Sequence, residues 1–104
     1  MTQIYEVKGV ATKVYTEQDG TLCVKYHDTV VFRRYLEGHI LLNAGRWKSA
    51  TTKVRMNQAL NQYGPRASQA NTRRYSVFQK DFAWYVQDRE TNTNIPFDDE
   101  ELKL

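Results

Sequence analysis

The sequence predicts a single small α+β domain: an antiparallel β-meander, one amphipathic helix at about residues 51–63, then a C-terminal β-hairpin. Three observations carry that reading. Apolar residues alternate with a period of two before Asn43, fall on one helical stripe between Met56 and Tyr63, and alternate again after Arg73.

From the N-terminus, Ile4 to Thr16 carries Val7, Val10, Val14 and Tyr15 and reads as one or two strands, irregular around Gly9. Gln18-Asp19-Gly20 is a turn, because Asp-Gly supports the positive φ of a tight hairpin. Leu22, Val24 and Tyr26 alternate with Cys23, Lys25 and His27, the mark of a half-buried strand. Asp28-Thr29 turns the chain, Val30 to Leu36 forms a β-branched strand, Glu37-Gly38 turns it again, and His39 to Asn43 returns. Asn43-Ala44-Gly45 breaks the sheet. Ser49 or Thr51 supplies the helix N-cap, since its hydroxyl accepts a free backbone N–H. Met56, Ala59, Leu60 and Tyr63 stand at i, i+3, i+4 and i+7, and Gly64-Pro65 stops the helix. The opposite face (Lys53, Arg55, Asn57, Gln58, Asn61, Gln62) is polar without an acid.

Arg66 to Thr72 is a polar loop. Arg73 to Gln79 is a strand, Lys80-Asp81 its turn, and Phe82 to Gln87 the returning strand, with Val77, Phe78, Phe82, Trp84 and Val86 assigned to the core. Asp88 to Asn94 is loop. The domain is expected to span residues 1–97, with 98–104 a flexible acidic tail.

The chain of 104 residues fits one domain, and its seven Tyr, four Phe and two Trp argue against disorder. Cys23 is the single cysteine, which fits a reducing compartment. Met1 to Lys8 lacks the apolar run of a secretory signal, and no stretch approaches the ~20 apolar residues that span a bilayer, so no membrane partner is expected. The net charge of +3 is unevenly placed. Between Glu37 and Asp81 stand Arg46, Lys48, Lys53, Arg55, Arg66, Arg73, Arg74 and Lys80, with no acid among them. Asp98 to Glu101 reverse the sign. Such asymmetry fits a polyanion partner for the basic middle, with an acidic tail that competes for the same face.

The helix entrance, Gly45 to Lys53, concentrates the signal. Helix N-termini present free N–H groups and a positive dipole end to anions. Arg46, Lys48, Lys53 and Arg55 would contact phosphates, Thr51 would add a hydroxyl, and Trp47 either stacks a base or plugs the core. Arg73 and Arg74 would extend the track. Arg33-Arg34 form a second cationic pair, with one member facing solvent. The spacing is not that of a nucleotide-binding P-loop.

Catalytic constellations are weak. Cys23 and His27 sit four residues apart on a strand, roughly 13 Å at ~3.3 Å per residue, too far for a nucleophile and its base. His27, His39 and Asp28 would make a thin metal site even if His27 and His39 met across strands. The carboxylates sit at predicted turns, Asp88 and Glu90 being the closest pair. No enzyme activity, metal or cofactor is expected.

One pattern is familiar. Tyr26-His27-Asp28-Thr29-Val30-Val31, then Ile40-Leu41-Leu42-Asn43-Ala44-Gly45-Arg46-Trp47, then Ala50-Thr51-Thr52-Lys53-Val54-Arg55-Met56-Asn57 resembles a group of small uncharacterised tailed-bacteriophage proteins. The resemblance implies a phage origin and the host bacterial cytoplasm, and no particular activity. The leading expectation is a non-catalytic nucleic-acid-binding phage accessory protein. A protein that binds and inhibits a host protein through that partner's acidic surface is the alternative. A structural or self-assembling component is the third reading, a free meander edge offering a route to a homodimer.

Overall fold

The computed structural model describes residues 11–46, 48–69 and 71–104. Ile4 to Val10 of the first expected strand therefore lie outside the described residues. Eight strands and one helix follow in the order β1 (Thr12–Thr16), β2 (Leu22–Tyr26), β3 (Thr29–Arg34), β4 (Ile40–Asn43), α1 (Ala50–Tyr63), β5 (Tyr75–Lys80), β6 (Ala83–Asp88), β7 (Thr93–Pro96) and β8 (Glu101–Lys103). They build two antiparallel sheets, a first of order β1-β2-β3-β4-β8 and a second of order β5-β6-β7. The α+β class, the meander and the single helix agree with the sequence reading.

Cross-strand register explains which residues are inside. Val14, Val24, Phe32, Leu42 and Leu102 form one rung across the first sheet, on the face turned to the helix. Between Val24 and Lys25 the register slips by one residue opposite β3, so that consecutive Val31 and Phe32 are both buried. Met56, Ala59 and Leu60 of α1 meet this face, and Val77, Trp84, Val86 and Phe97 of the second sheet complete one continuous core.

Ser49 is the N-cap of α1: its hydroxyl accepts the Thr52 N–H at 3.1 Å. Gly64 ends the helix as expected, but with φ of −82° rather than a left-handed angle. Glycine is needed there for space, because a Cβ would stand 2.6 Å from the Leu60 carbonyl oxygen.

Four findings go beyond or against the sequence reading. First, the polar side of α1 is in part engaged by the fold, since Gln58 is buried and Asn57 reaches the edge of β5. Asn57 donates through Nδ2 to the Val77 carbonyl at 3.0 Å and accepts the Val77 N–H at 2.8 Å. The helix is thus wedged between the two sheets, and amides suit a side that must satisfy strand backbone. Second, residues 98–104 are no loose tail. β8 pairs with β4, Leu104 exchanges backbone bonds with Ile40, and Leu102 and Leu104 pack on the core. Two alternating leucines supply the apolar face that the acids obscured. Third, part of the Asp88–Asn94 loop is strand, with Thr93 of β7 opposite Asp88. Fourth, the β5–β6 turn is Asp81-Phe82, one residue later than expected. That shift removes Phe82 from the core and leaves it 96% exposed. Phe78, next to inward-facing Val77, points to the outer face.

Candidate nucleic-acid interface

The helix entrance holds its cations against the protein itself. Lys48 donates from Nζ to the Phe97 carbonyl and stands 4.8 Å from the Phe97 ring centroid and 5.8 Å from that of Trp84. The Lys53 ammonium also lies 5.8 Å from the Trp84 ring centroid. Trp84 and Phe97 meet edge to face at 6.0 Å. Two lysines therefore converge on an aromatic pair, where each ring face attracts a cation. Arg46 is exposed, but shares an open groove with Asp98, Asp99 and Glu100. Backbone pairing fixes that juxtaposition, because the Ala44 N–H donates to the Glu100 carbonyl at 2.8 Å. The acidic segment thus lies beside the basic entrance. Thr51 is exposed on the first turn, and Trp47 lies outside the described residues.

Arg55 faces the first sheet. Its Nε donates to Thr12 Oγ1 at 3.1 Å, its Nη1 donates to Gln58 Oε1 at 3.2 Å, and its guanidinium lies 5.7 Å from the Tyr26 ring centroid. Arg34 turns inward and donates to the Tyr63 carbonyl at 3.1 Å, placing a cation at the negative end of α1. Its neighbour Arg33 lies on the other face of β3, in register with Cys23 and Leu41.

Arg73 and Arg74 stand apart from the helix entrance. Arg73 donates to Ser76 Oγ at 2.9 Å and to the Asn57 carbonyl at 3.2 Å. Arg74 grips Asp88 with two parallel bonds of 2.8 and 2.9 Å and stacks 4.9 Å from the Tyr75 ring. Asp88 is 5% exposed, and the guanidinium bonds lower its pKa to about 2 despite that burial. A carboxylate held this way anchors β5 to β6. The eight cations of the basic middle therefore do not converge on one surface. His27 and His39 occupy turns at opposite ends of β3, which rules out a shared site.

What the sequence reading missed lies on the outer face of the second sheet. Phe78 and Tyr85 are opposite each other in register and stack at 5.5 Å with a 23° interplanar angle. Pro96 extends the rung on β7. Along the hairpin the next rung is Lys80 and Ala83, and beyond it the tip presents Phe82. Both tip residues are left-handed, Asp81 at φ 52° and Phe82 at φ 68°. At the other end Ser76 Oγ accepts from Arg73 and, at 3.3 Å, from Arg89. Strand parity contained the signal: once Val77, Trp84 and Val86 face inward, Phe78 and Tyr85 must face out.

The chain belongs to the Kyanoviridae Gp96 protein family, a phage family whose model matches residues 2–103. No curated protein and no solved structure matches it.

Proposed function

We propose that this member of the Kyanoviridae Gp96 family is a non-catalytic protein that binds single-stranded nucleic acid on the outer face of its second sheet. The observation that carries the reading is the exposed aromatic group of this hairpin: Phe78 stacked on Tyr85 on that face, and Phe82 almost wholly in solvent at the tip beyond them. Tyr85 and Phe82 are three residues apart, about 10 Å at ~3.3 Å per residue. Bases have a π-face whatever their identity, so such a platform is sequence-tolerant and adds about 1–3 kcal/mol per stacked base. Lys80 and Arg89, exposed at the two ends of the platform, supply charge for the backbone. A left-handed phenylalanine costs of order 1–3 kcal/mol, and this one leaves its ring 96% exposed. That cost is understandable where a ligand uses the ring.

The test is fluorescence anisotropy with a labelled single-stranded oligonucleotide across a salt series. Binding should weaken with a log–log slope of about −0.7 per phosphate engaged. Phe82→Ala and Tyr85→Ala should each lower affinity about 5- to 150-fold, the range that 1–3 kcal/mol implies, with the circular dichroism spectrum unchanged. Affinity unaltered in both variants, or no binding at 50 mM salt, overturns the reading.

A further inference from the structure

The outer face of the first sheet carries a different signature, and it needs no element of the aromatic platform. Lys13 and Lys25 are direct cross-strand partners on β1 and β2. Like charges placed opposite each other destabilise a sheet. Neither ammonium has an ion-pair partner within 4.0 Å among the described residues. They line a shallow depression with Ala11, His27 and Asp28, whose carboxylate is the acid in that turn. The adjacent rung of the same face runs Tyr15, Cys23, Arg33, Leu41, Lys103. Glu17, Glu37 and Glu101 also belong to this face: Glu17 is two residues beyond Tyr15 and close enough to act on Tyr15 and Cys23, Glu37 lines a depression with Leu41 and Lys103, and Glu101 is on β8 at the opposite edge of the sheet. The acids therefore balance the Arg33 and Lys103 side of the face, and the excess of positive charge is confined to the Lys13–Lys25 corner.

We infer that the Lys13–Lys25 corner of this face is a second site for the phosphodiester backbone of a nucleic acid. Its composition separates it from a protein-docking surface, because the cores of protein interfaces are depleted in lysine and charge. The inner faces of both sheets line one shared core, so the two outer faces look away from each other. A protein with a stacking face on one side and a cationic face on the other holds two nucleic-acid segments at once. The consequence is a bridging activity, bringing separate strands or distant parts of one strand together. The cationic site stands on its own observations, whereas bridging rests also on the platform proposed above.

The experiment measures both sites in the full chain. A labelled 20-base-pair duplex reports the cationic face, since paired bases are not open to stacking. A pair of non-complementary oligonucleotides carrying donor and acceptor dyes reports bridging by energy transfer. Lys13→Glu with Lys25→Glu should lower duplex affinity at least 10-fold and abolish energy transfer, while single-strand affinity falls less than 3-fold. The milder Lys13→Gln with Lys25→Gln pair should flatten the duplex salt slope by about 1.8, two phosphates at −0.9 each. Phe82→Ala should do the reverse, sparing the duplex and losing the single strand. Duplex binding indifferent to both lysine pairs overturns the second site, even if the platform is upheld. Loss of stacking effects with an intact lysine effect overturns the platform alone. A face that ignores DNA and RNA but binds polyglutamate overturns the inference in favour of an acidic protein partner. Light scattering accompanies the transfer assay, because bridging by a protein dimer would also overturn it.

Discussion

The helix entrance and the hairpin tip are instructive opposites. The entrance is rich in cations, yet Lys48 and Lys53 lie against Trp84 and Phe97, and Arg46 faces Asp98 to Glu100. The tip has a single cation in Lys80, yet its aromatic side chains point away from the core. Charge density along a chain reports composition. Availability depends on partners brought from elsewhere, and here those partners come from β6 and from residues 97–100. Lys48 and Lys53 of the entrance are held by the fold, while Phe82 at the tip stands almost wholly in solvent.

That contrast can be broken or sharpened in four ways. The largest effect is expected at Arg74. Its replacement by Ala strands the Asp88 carboxylate in a buried site and should destabilise the fold by about 3 kcal/mol, seen in urea unfolding. Weakened oligonucleotide binding at unchanged stability would instead make Arg74 a phosphate ligand. The same pair predicts a pH dependence. Asp88 titrates at about 2 when folded against 3.8 ordinarily. A lowered carboxylate pKa stabilises above the unfolded value and loses that contribution as pH falls through the folded one. Wild type should therefore exceed Asp88→Asn by roughly 2 kcal/mol at pH 6, with the gap closing between about pH 4 and pH 2. A gap that stays constant across that window would show that the carboxylate's charge is not the cause.

Smaller still is Phe82→Gly. Glycine accepts the left-handed angle freely, so this variant should be more stable by about 1 kcal/mol while binding single strands less well. Stability and binding falling together would mean that the ring supports the hairpin. The smallest effects belong to Lys48→Ala and Lys53→Ala, each expected to cost about 0.5–1 kcal/mol in thermal unfolding through lost cation–π contact. Their oligonucleotide affinity should stay within twofold of wild type, and a tenfold loss would return the interface to the helix entrance.

The frame was legible because its signals are local. Asp19-Gly20 and Glu37-Gly38 mark turns by their own chemistry, and Ser49 with Gly64-Pro65 brackets the helix. β8 was not legible, because the acids around it outweigh two leucines whose partner rung on β4 lies some sixty residues away. Phe82 was misplaced for a different reason. With a period of two, moving a turn by one residue reverses which side chains face inward, and Lys80-Asp81 and Asp81-Phe82 are equally plausible to the eye. The candidate interface failed to emerge because every cation looks alike in sequence. Arg74 finds Asp88 across a hairpin and Lys48 finds Phe97 across the fold, and neither meeting leaves a local trace.

The late return of β8 also has a consequence in time. The chain leaves the first sheet at Asn43 and re-enters it opposite Glu101, a separation of 58 residues. At ~5–20 residues per second on the ribosome, β4 waits roughly 3–12 s for its neighbour. During that interval its backbone groups and Leu42 form an unguarded edge, the kind that recruits another nascent copy. Slower synthesis lengthens that exposure, so the yield of folded protein should depend on the rate of translation.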